Sequence, residues 1–238
     1  MNSVVARLLT DLTASMRFAG SLNVDLNEIT TNLVPFAKMH YLCPSLAPLG
    51  RQRMARSASS GSGQQGTANV IKGLFKEASH PSSQLITSQT SLKSSNVIAC
   101  GLFLRGRNIP ISDVNANVVR MQGELVMPSW NREGFKIGIC DVPSNESPMS
   151  MLTLTNSTMI LDAFQSVKER FEKLWRRKAM VHHYTNFIDE GLFGEALESL
   201  EDVMSAYKSV PGFNNNRNGG GVGGGGGRGG IWKTGGGG

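Results

Sequence analysis

The stretch Asn96 to Arg105, NVIACGLFLR, constrains the fold more than any other. It is apolar on both sides of a strand-like period, so as a strand it has to be covered on both faces. The apolar core of the run, Val97 to Leu104, is interrupted by Gly101 and is far too short to span a bilayer. Phe135, Ile137 and Ile139 alternate with Lys136, Gly138 and Cys140, which predicts a half-buried strand. Met149 to Thr155 supplies another, and Lys38 to Cys43 a short one ended by Pro44. Helical patterns stand between them, so the expected class is α+β: a two-layer sandwich of helices on a mixed sheet. With 39% hydrophobic residues in 238, a core of that kind is within reach.

The helices are read from 3.6-residue periodicity. Val5, Leu8, Leu12 and Met16, with Val4 and Leu9, form an apolar stripe over residues 4 to 18, and Arg7, Asp11 and Arg17 fall on the other side. The pattern begins almost at Met1, with Ser3 as the available cap, and reads as the continuation of a segment upstream. Gly20 to Pro35, GSLNVDLNEITTNLVP, then holds a turn, a helix start and two acids. Gly20 is placed to supply a positive φ at a helix end. Asp25 and Glu28 spell a capping-box-like D-x-x-E, Leu26, Ile29 and Leu33 share one face, and Pro35 stops the helix. Further on, Leu49 to Asn69 is polar and predicts a mobile loop, 70 to 78 a short helix, and 79 to 96 irregular Ser-rich chain. Ser112 is placed to cap a helix through Gln122, with Val114, Val118 and Met121 inward.

From Thr158 two long helices follow. Ile160, Phe164, Val167, Phe171 and Leu174 form the stripe of the first. Phe193, Ala196, Leu197, Leu200, Val203, Met204 and Tyr207 form that of the second, whose outer face carries Glu195, Glu198, Glu201 and Asp202. They predict an antiparallel helical hairpin. From Pro211 the chain is mostly glycine and is expected to be disordered.

Three widely spaced cysteines, Cys43, Cys100 and Cys140, make no C-x-x-C site and point to a reducing intracellular compartment. No basic region followed by an apolar block opens the chain, so no secretory signal is expected. The charge of +6 raises nucleic acid as a partner, but Arg51, Arg53 and Arg56 lie in one loop and Lys173, Arg176, Arg177 and Lys178 at one helix end, with no basic stripe interleaved with aromatics. His182 and His183 are adjacent, and neighbours on a regular element point apart, so no metal site is expected. Trp130 and Trp175 are expected in packed positions.

Three ordered stretches resemble the tubulin family. MRFAGSLNVDLNEITTNLVPF resembles the segment after the long central helix of tubulins, and Phe103-Leu-Arg-Gly-Arg107 resembles the strand ending in R-G. Arg176-Arg-Lys-Ala179, His182, Tyr184, Glu190-Gly191, Phe193 and Glu195-Ala196 are similar to a series near the tubulin C-terminus. N-V-D-L-N-E-I with H-Y-L looks closer to the epsilon type than to alpha, beta or gamma. The resemblance implies the C-terminal half of a tubulin: the end of the central helix (1–19), an intermediate sandwich (20–156), a helical hairpin (157–210) and the Gly-rich tail (211–238). No G-G-G-T-G-S-G-like loop precedes Gly20, and Gly219 to Gly227 follow no strand and open no helix, so this chain alone is not expected to hold GTP or its Mg2+.

By residue type alone Asp25 and Glu28 are a helix cap. The resemblance implies a second role, in which Glu28 reaches the GTP of a longitudinal neighbour to position or deprotonate water, Asp25 supports that water and Asn23 lies close by. Other tubulin subunits, contacted through residues 20–35, are the partners it implies, with motors or associated proteins on the hairpin. It also implies a cytoplasmic, cytoskeletal setting, and centrioles or basal bodies for an epsilon type. Two departures stand out. The loop Ser45 to Asn69 replaces the segment that makes lateral contacts, and the tail lacks a run of glutamates. Competing readings are a basic module contacting RNA through Arg228-Gly-Gly and Trp232, and a half-tubulin that caps protofilaments.

Overall fold

The computed structural model describes residues 2–49 and 64–211. Most of the expected polar loop and all of the glycine-rich tail beyond Pro211 lie outside the described residues.

Four strands, β1 (Leu42–Ala47), β2 (Val97–Gly106), β3 (Phe135–Cys140) and β4 (Met149–Ser157), form one sheet in the order β1-β4-β2-β3. β2 runs parallel to β3 and antiparallel to β4, which runs antiparallel to β1. The sheet is mixed, as expected. β2 is central and buried along its whole length, because its apolar run meets packed layers on both sides.

One face carries α4 (Gln64–Ala78) and α5 (Ile111–Glu124). Ile71, Leu74, Phe75, Val114 and Met121 pack there on Cys100, Leu102, Leu104, Ile139 and Met151. The opposite face takes α1 (Asn2–Leu12), α2 (Ala14–Arg17) and α3 (Leu26–Leu33). Val4, Leu8, Leu12, Ile29 and Leu33 meet Leu46, Ala99, Phe103, Leu152 and Leu154 on that side. α6 (Ile160–Trp175), α7 (Val181–Tyr184) and α8 (Gly191–Lys208) follow. Ile160, Leu161, Met204 and Tyr207 close a third cluster with Met39, Cys43 and Ile98. Phe171 and Trp175, near the end of α6, meet Phe193 near the start of α8. The described helices include none long and apolar enough to cross a membrane.

Several local expectations are corrected. β1 runs through Pro44 instead of ending at it, because β1 is an edge strand and a proline there costs no ladder donor toward its partner. Its outer side is met by Leu85, whose N–H donates to the Pro44 carbonyl at 3.0 Å. Residues 64 to 69 are helical, so α4 runs to 15 residues and begins six residues earlier than expected. α5 is entered from Pro110, with Ser112 inside its first turn. The first helix breaks at Thr13, whose hydroxyl donates to the Leu9 carbonyl at 2.8 Å in competition with the helical ladder.

The largest correction concerns α1. Arg7 and Asp11 are buried, while Val5, Leu9 and Met16 are exposed. Arg105 explains the inversion. It sits on the α1 face of β2, buried, and its Nη1 lies 2.8 Å from Asp11 Oδ1. Arg105 Nε and Nη2 donate to the Val142 and Pro143 carbonyls. Arg7 Nη1 donates to the Pro48 carbonyl at 2.7 Å and faces Glu146 at 3.5 Å. Burying a charge requires a partner and hydrogen bonds; Arg105 has both, whereas Arg7 Nε and Nη2 and Asp11 Oδ2 are buried with charged neighbours but no hydrogen bond. In α6, Val167 and Leu174 are likewise exposed where the stripe put them inward.

Candidate functional site

Residues 19 to 33 follow β3, the edge strand on the far side of the sheet from β1. Leu22 N–H donates to the Ile139 carbonyl at 3.4 Å, and Ile139 N–H to the Leu22 carbonyl at 2.9 Å. Asp141 N–H donates to the Ala19 carbonyl at 3.3 Å, and Ser21 Oγ to Asp141 Oδ1 at 3.1 Å. The segment thus occupies the hydrogen-bonding edge that β3 would otherwise leave open.

Gly20 is required for this approach and not for its φ, since the positive-φ glycine among the described residues is Gly106. A Cβ on Gly20 would lie 2.1 Å from the Ile139 carbonyl oxygen. Gly138 is tight for a related reason: a Cβ there would meet Phe103 at 3.0 Å and Val24 at 3.1 Å. Val24 is buried and anchors the loop immediately before the acids.

Asp25 is the N-cap of α3, with extended backbone, and its Oδ1 accepts from Glu28 N–H at 2.6 Å. That is half of a capping box. The return half is replaced: Glu28 Oε2 pairs with Lys136 Nζ of β3 at 2.8 Å. Lys136 stands on the α3 face of its strand, where the period of two places it alongside Gly138. Glu28 therefore keeps a side chain 47% exposed but held from one side. Asn32 Nδ2 donates to the Glu28 carbonyl at 2.7 Å, one turn on. Asn23, Asp25 and Glu28, the three predicted site residues, are all exposed. Leu26 joins them at 46% exposure, whereas Ile29 and Leu33 are buried. The expected three-residue apolar face is a two-residue one.

This surface has a definite chemistry. Two carboxylates and one amide face outward, with Lys136 the cation paired to one of them. Carboxylates repel a phosphate and accept hydrogen bonds from water or from a donor on a partner. Among the described residues there is no group of three or more His, Cys, Asp or Glu that could hold a metal ion.

The other end of α3 is fixed by a residue that periodicity does not single out. Asn156, fully buried at the end of β4, donates through Nδ2 to the Leu33 carbonyl at 2.8 Å and the Met39 carbonyl at 2.7 Å. Its Oδ1 lies 3.1 Å from the hydroxyl of Tyr207 in α8. The one available signal was an amide inside an otherwise strand-like stretch. Elsewhere, burial pushes the Cys43 thiol up to about 11 and that of Cys100 up to about 12, which leaves both protonated and inert as nucleophiles. His182 and His183 do not point apart: their rings lie 4.0 Å apart in the short α7, and both residues are exposed. Trp130 is 48% exposed and meets Phe36 edge-on, outside the core clusters.

A mixed four-stranded sheet with helices packed on it is consistent with a tubulin C-terminal domain. The family profile described as "Tubulin C-terminal domain" matches residues 37–169, and the chain belongs to the tubulin family. Within it, the chain is 40% identical over 212 residues to the "Tubulin epsilon chain" of Mus musculus, an alignment covering 88% of this chain and 42% of that one. It is 39% identical over 217 residues to the "Tubulin epsilon chain" of Homo sapiens, covering 90% and 43%. With the "Tubulin alpha-1B chain" of Schizophyllum commune the identity is 32% over 221 residues, covering 88% and 47%. The higher identity to the epsilon chains agrees with the N-V-D-L-N-E-I resemblance. The chain spans less than half the length of these relatives.

Proposed function

We propose that this chain acts as part of an epsilon-type tubulin subunit of the microtubule cytoskeleton, presenting residues 20–35 to a longitudinal neighbour. Glu28 is the residue that serves the neighbour's GTP. It orients the water that attacks the γ-phosphate and accepts its proton, with Asp25 holding the first turn of α3 and Asn23 alongside. Phosphoryl transfer gains from a positioned acceptor of this kind. The observation that carries the proposal is an exposed Glu28 carboxylate tethered by Lys136 at 2.8 Å on a capped helix. The charge of the surface supports action in trans, because it suits activation of water and not retention of phosphate. GTP and Mg2+ are thus assigned to the neighbouring subunit and not to residues 20–35.

The remaining assignments follow from the same reading. Residues 20–156 serve as the intermediate domain, and 157–210 as a helical hairpin whose acidic face, with Glu195, Glu198, Glu201 and Asp202, is the place for motors or associated proteins. Lys168 pairs with Glu201 and Lys38 with Asp202, which leaves Glu195 and Glu198 as its outward charge. Centrioles or basal bodies are the proposed address.

The test is GTP turnover by a full-length tubulin partner mixed with the chain. Wild type should accelerate turnover and Glu28→Ala should abolish the acceleration while binding persists. Equal acceleration by both forms sinks the proposal.

A further inference from the structure

A second charged site lies on the opposite face of the sheet, between α4 and α5. The cavity there has a volume of about 410 Å3, within the range of small-ligand sites. Phe75 and Met121, both buried, form its floor. Lys72, Lys76, Lys93 and Arg120 rim it. One carboxylate in the lining, Glu124, answers these four cations. It pairs with Lys93 at 2.6 Å and more distantly with Arg120 at 3.9 Å. Its own charge is therefore spent, and the two pairings hold its carboxyl below the usual range, the Lys93 hydrogen bond first.

Lys72 and Lys76 remain. They stand one turn apart on α4, where like charges disfavour the helix. Neither has an anionic partner among the described residues. An apolar floor beneath unanswered cations is the arrangement of an anion site with a body to seat, not of a merely solvated helix face.

We propose that the α4–α5 cavity binds a small, multiply charged phosphate compound. Lys72 and Lys76 bind its phosphate oxygens as point charges, and Arg120 offers a planar fork from the facing helix. A pyrophosphate or a phosphate ester fits both the charge and the volume. This site shares no residue with the 20–35 surface and stands or falls separately from it.

The test uses the 238-residue chain and inorganic pyrophosphate in isothermal titration calorimetry at fixed ionic strength, with chloride as the screening control. Saturable binding is expected. It should weaken at least about tenfold in Lys72→Gln/Lys76→Gln, and likewise in Arg120→Gln, while Lys173→Gln/Arg177→Gln on α6 and its end leaves it unchanged. These side chains are exposed, and circular dichroism melts of each variant establish that the fold is retained. Absence of saturable binding up to millimolar pyrophosphate overturns the proposal. So does equal weakening in the Lys173/Arg177 variant, which marks a diffuse charge effect. Binding of a glutamate-rich peptide at these residues with none of pyrophosphate also overturns it, since the partner is then a polypeptide.

Discussion

Arg105 Nη1 lies 2.8 Å from Asp11 Oδ1, and this pair, buried on both sides, joins the first helix to the central strand. Asp11 Oδ2 also faces Arg7 Nε at 3.6 Å, so one carboxylate stands between two guanidinium groups. The orientation of α1 rests largely on that arrangement, because its apolar side chains supply only the half-buried Val4, Leu8 and Leu12.

Asp11→Ala is accordingly expected to be severe. It strands the buried Arg105 and leaves Arg7 with Glu146 alone at 3.5 Å, and should cost about 3–5 kcal/mol in urea-induced unfolding. Asp11→Leu combined with Arg105→Met should cost clearly less than Asp11→Ala, since no uncompensated charge then remains from that pair. A double variant as damaged as the single one would assign the loss to packing.

Asn156 couples α3 to α8, and its removal should be felt at both. Asn156→Ala leaves the Leu33 and Met39 carbonyls without their donor, at about 1–3 kcal/mol for each group left buried and unpaired. Tyr207→Phe removes a hydroxyl that contacts Asn156 Oδ1, accepts from Tyr41 N–H at 3.1 Å and faces the Tyr41 carbonyl at 3.3 Å, and should cost about 1–3 kcal/mol for the partners left unpaired. A double-mutant cycle should return a coupling on the order of 0.5–3 kcal/mol, and additivity would deny the link.

Asp162 gives a pH signature. Burial alone would raise its carboxyl, but hydrogen bonds from Ser88 Oγ at 2.6 Å, Thr90 N–H at 3.0 Å and Gln89 N–H at 3.0 Å outweigh burial and hold it below the usual value. A lowered folded pKa means that the ionised form stabilises the fold above the unfolded value of about 3.9, and that this contribution is lost as pH falls through the folded one. Below about pH 4, wild type should therefore lose stability faster than Asp162→Asn. Parallel acid limbs in denaturant titrations would contradict this.

What the sequence revealed and what it hid divide along a physical line. The sheet was legible because the apolar run 97–104 and the alternation at Phe135, Ile137 and Ile139 report burial directly. Asp25 was legible because a cap is a local contact, three residues long. Arg7 and Asp11 were misread because hydropathy scores a charge as exposed, and the burial of Asp11 depends on a partner 94 residues away, Arg105. Pairing of Glu28 with Lys136 and the service of Asn156 to Leu33 are hidden for the same reason. Gly20 was noticed for the wrong property: close approach to Ile139 is a tertiary fact, and its chain neighbours carry no trace of it.

The same division suggests how the two roles of Asp25 can be separated. Asparagine caps helices about as well as aspartate, and alanine loses on the order of 1 kcal/mol. Asp25→Asn should therefore keep the Oδ1 contact to Glu28 N–H, and with it the melting temperature, while removing one negative charge beside the water that Glu28 handles. Asp25→Ala removes both. If the carboxylate supports the attacking water, Asp25→Asn retains stability and still slows the partner's GTP turnover, and Asp25→Ala is impaired in both. If Asp25 serves only to cap, Asp25→Asn behaves as wild type in both measurements. The expected outcome is the first, because a cap alone does not need a charge, and Asp25 keeps its carboxylate exposed on the same surface as that of Glu28.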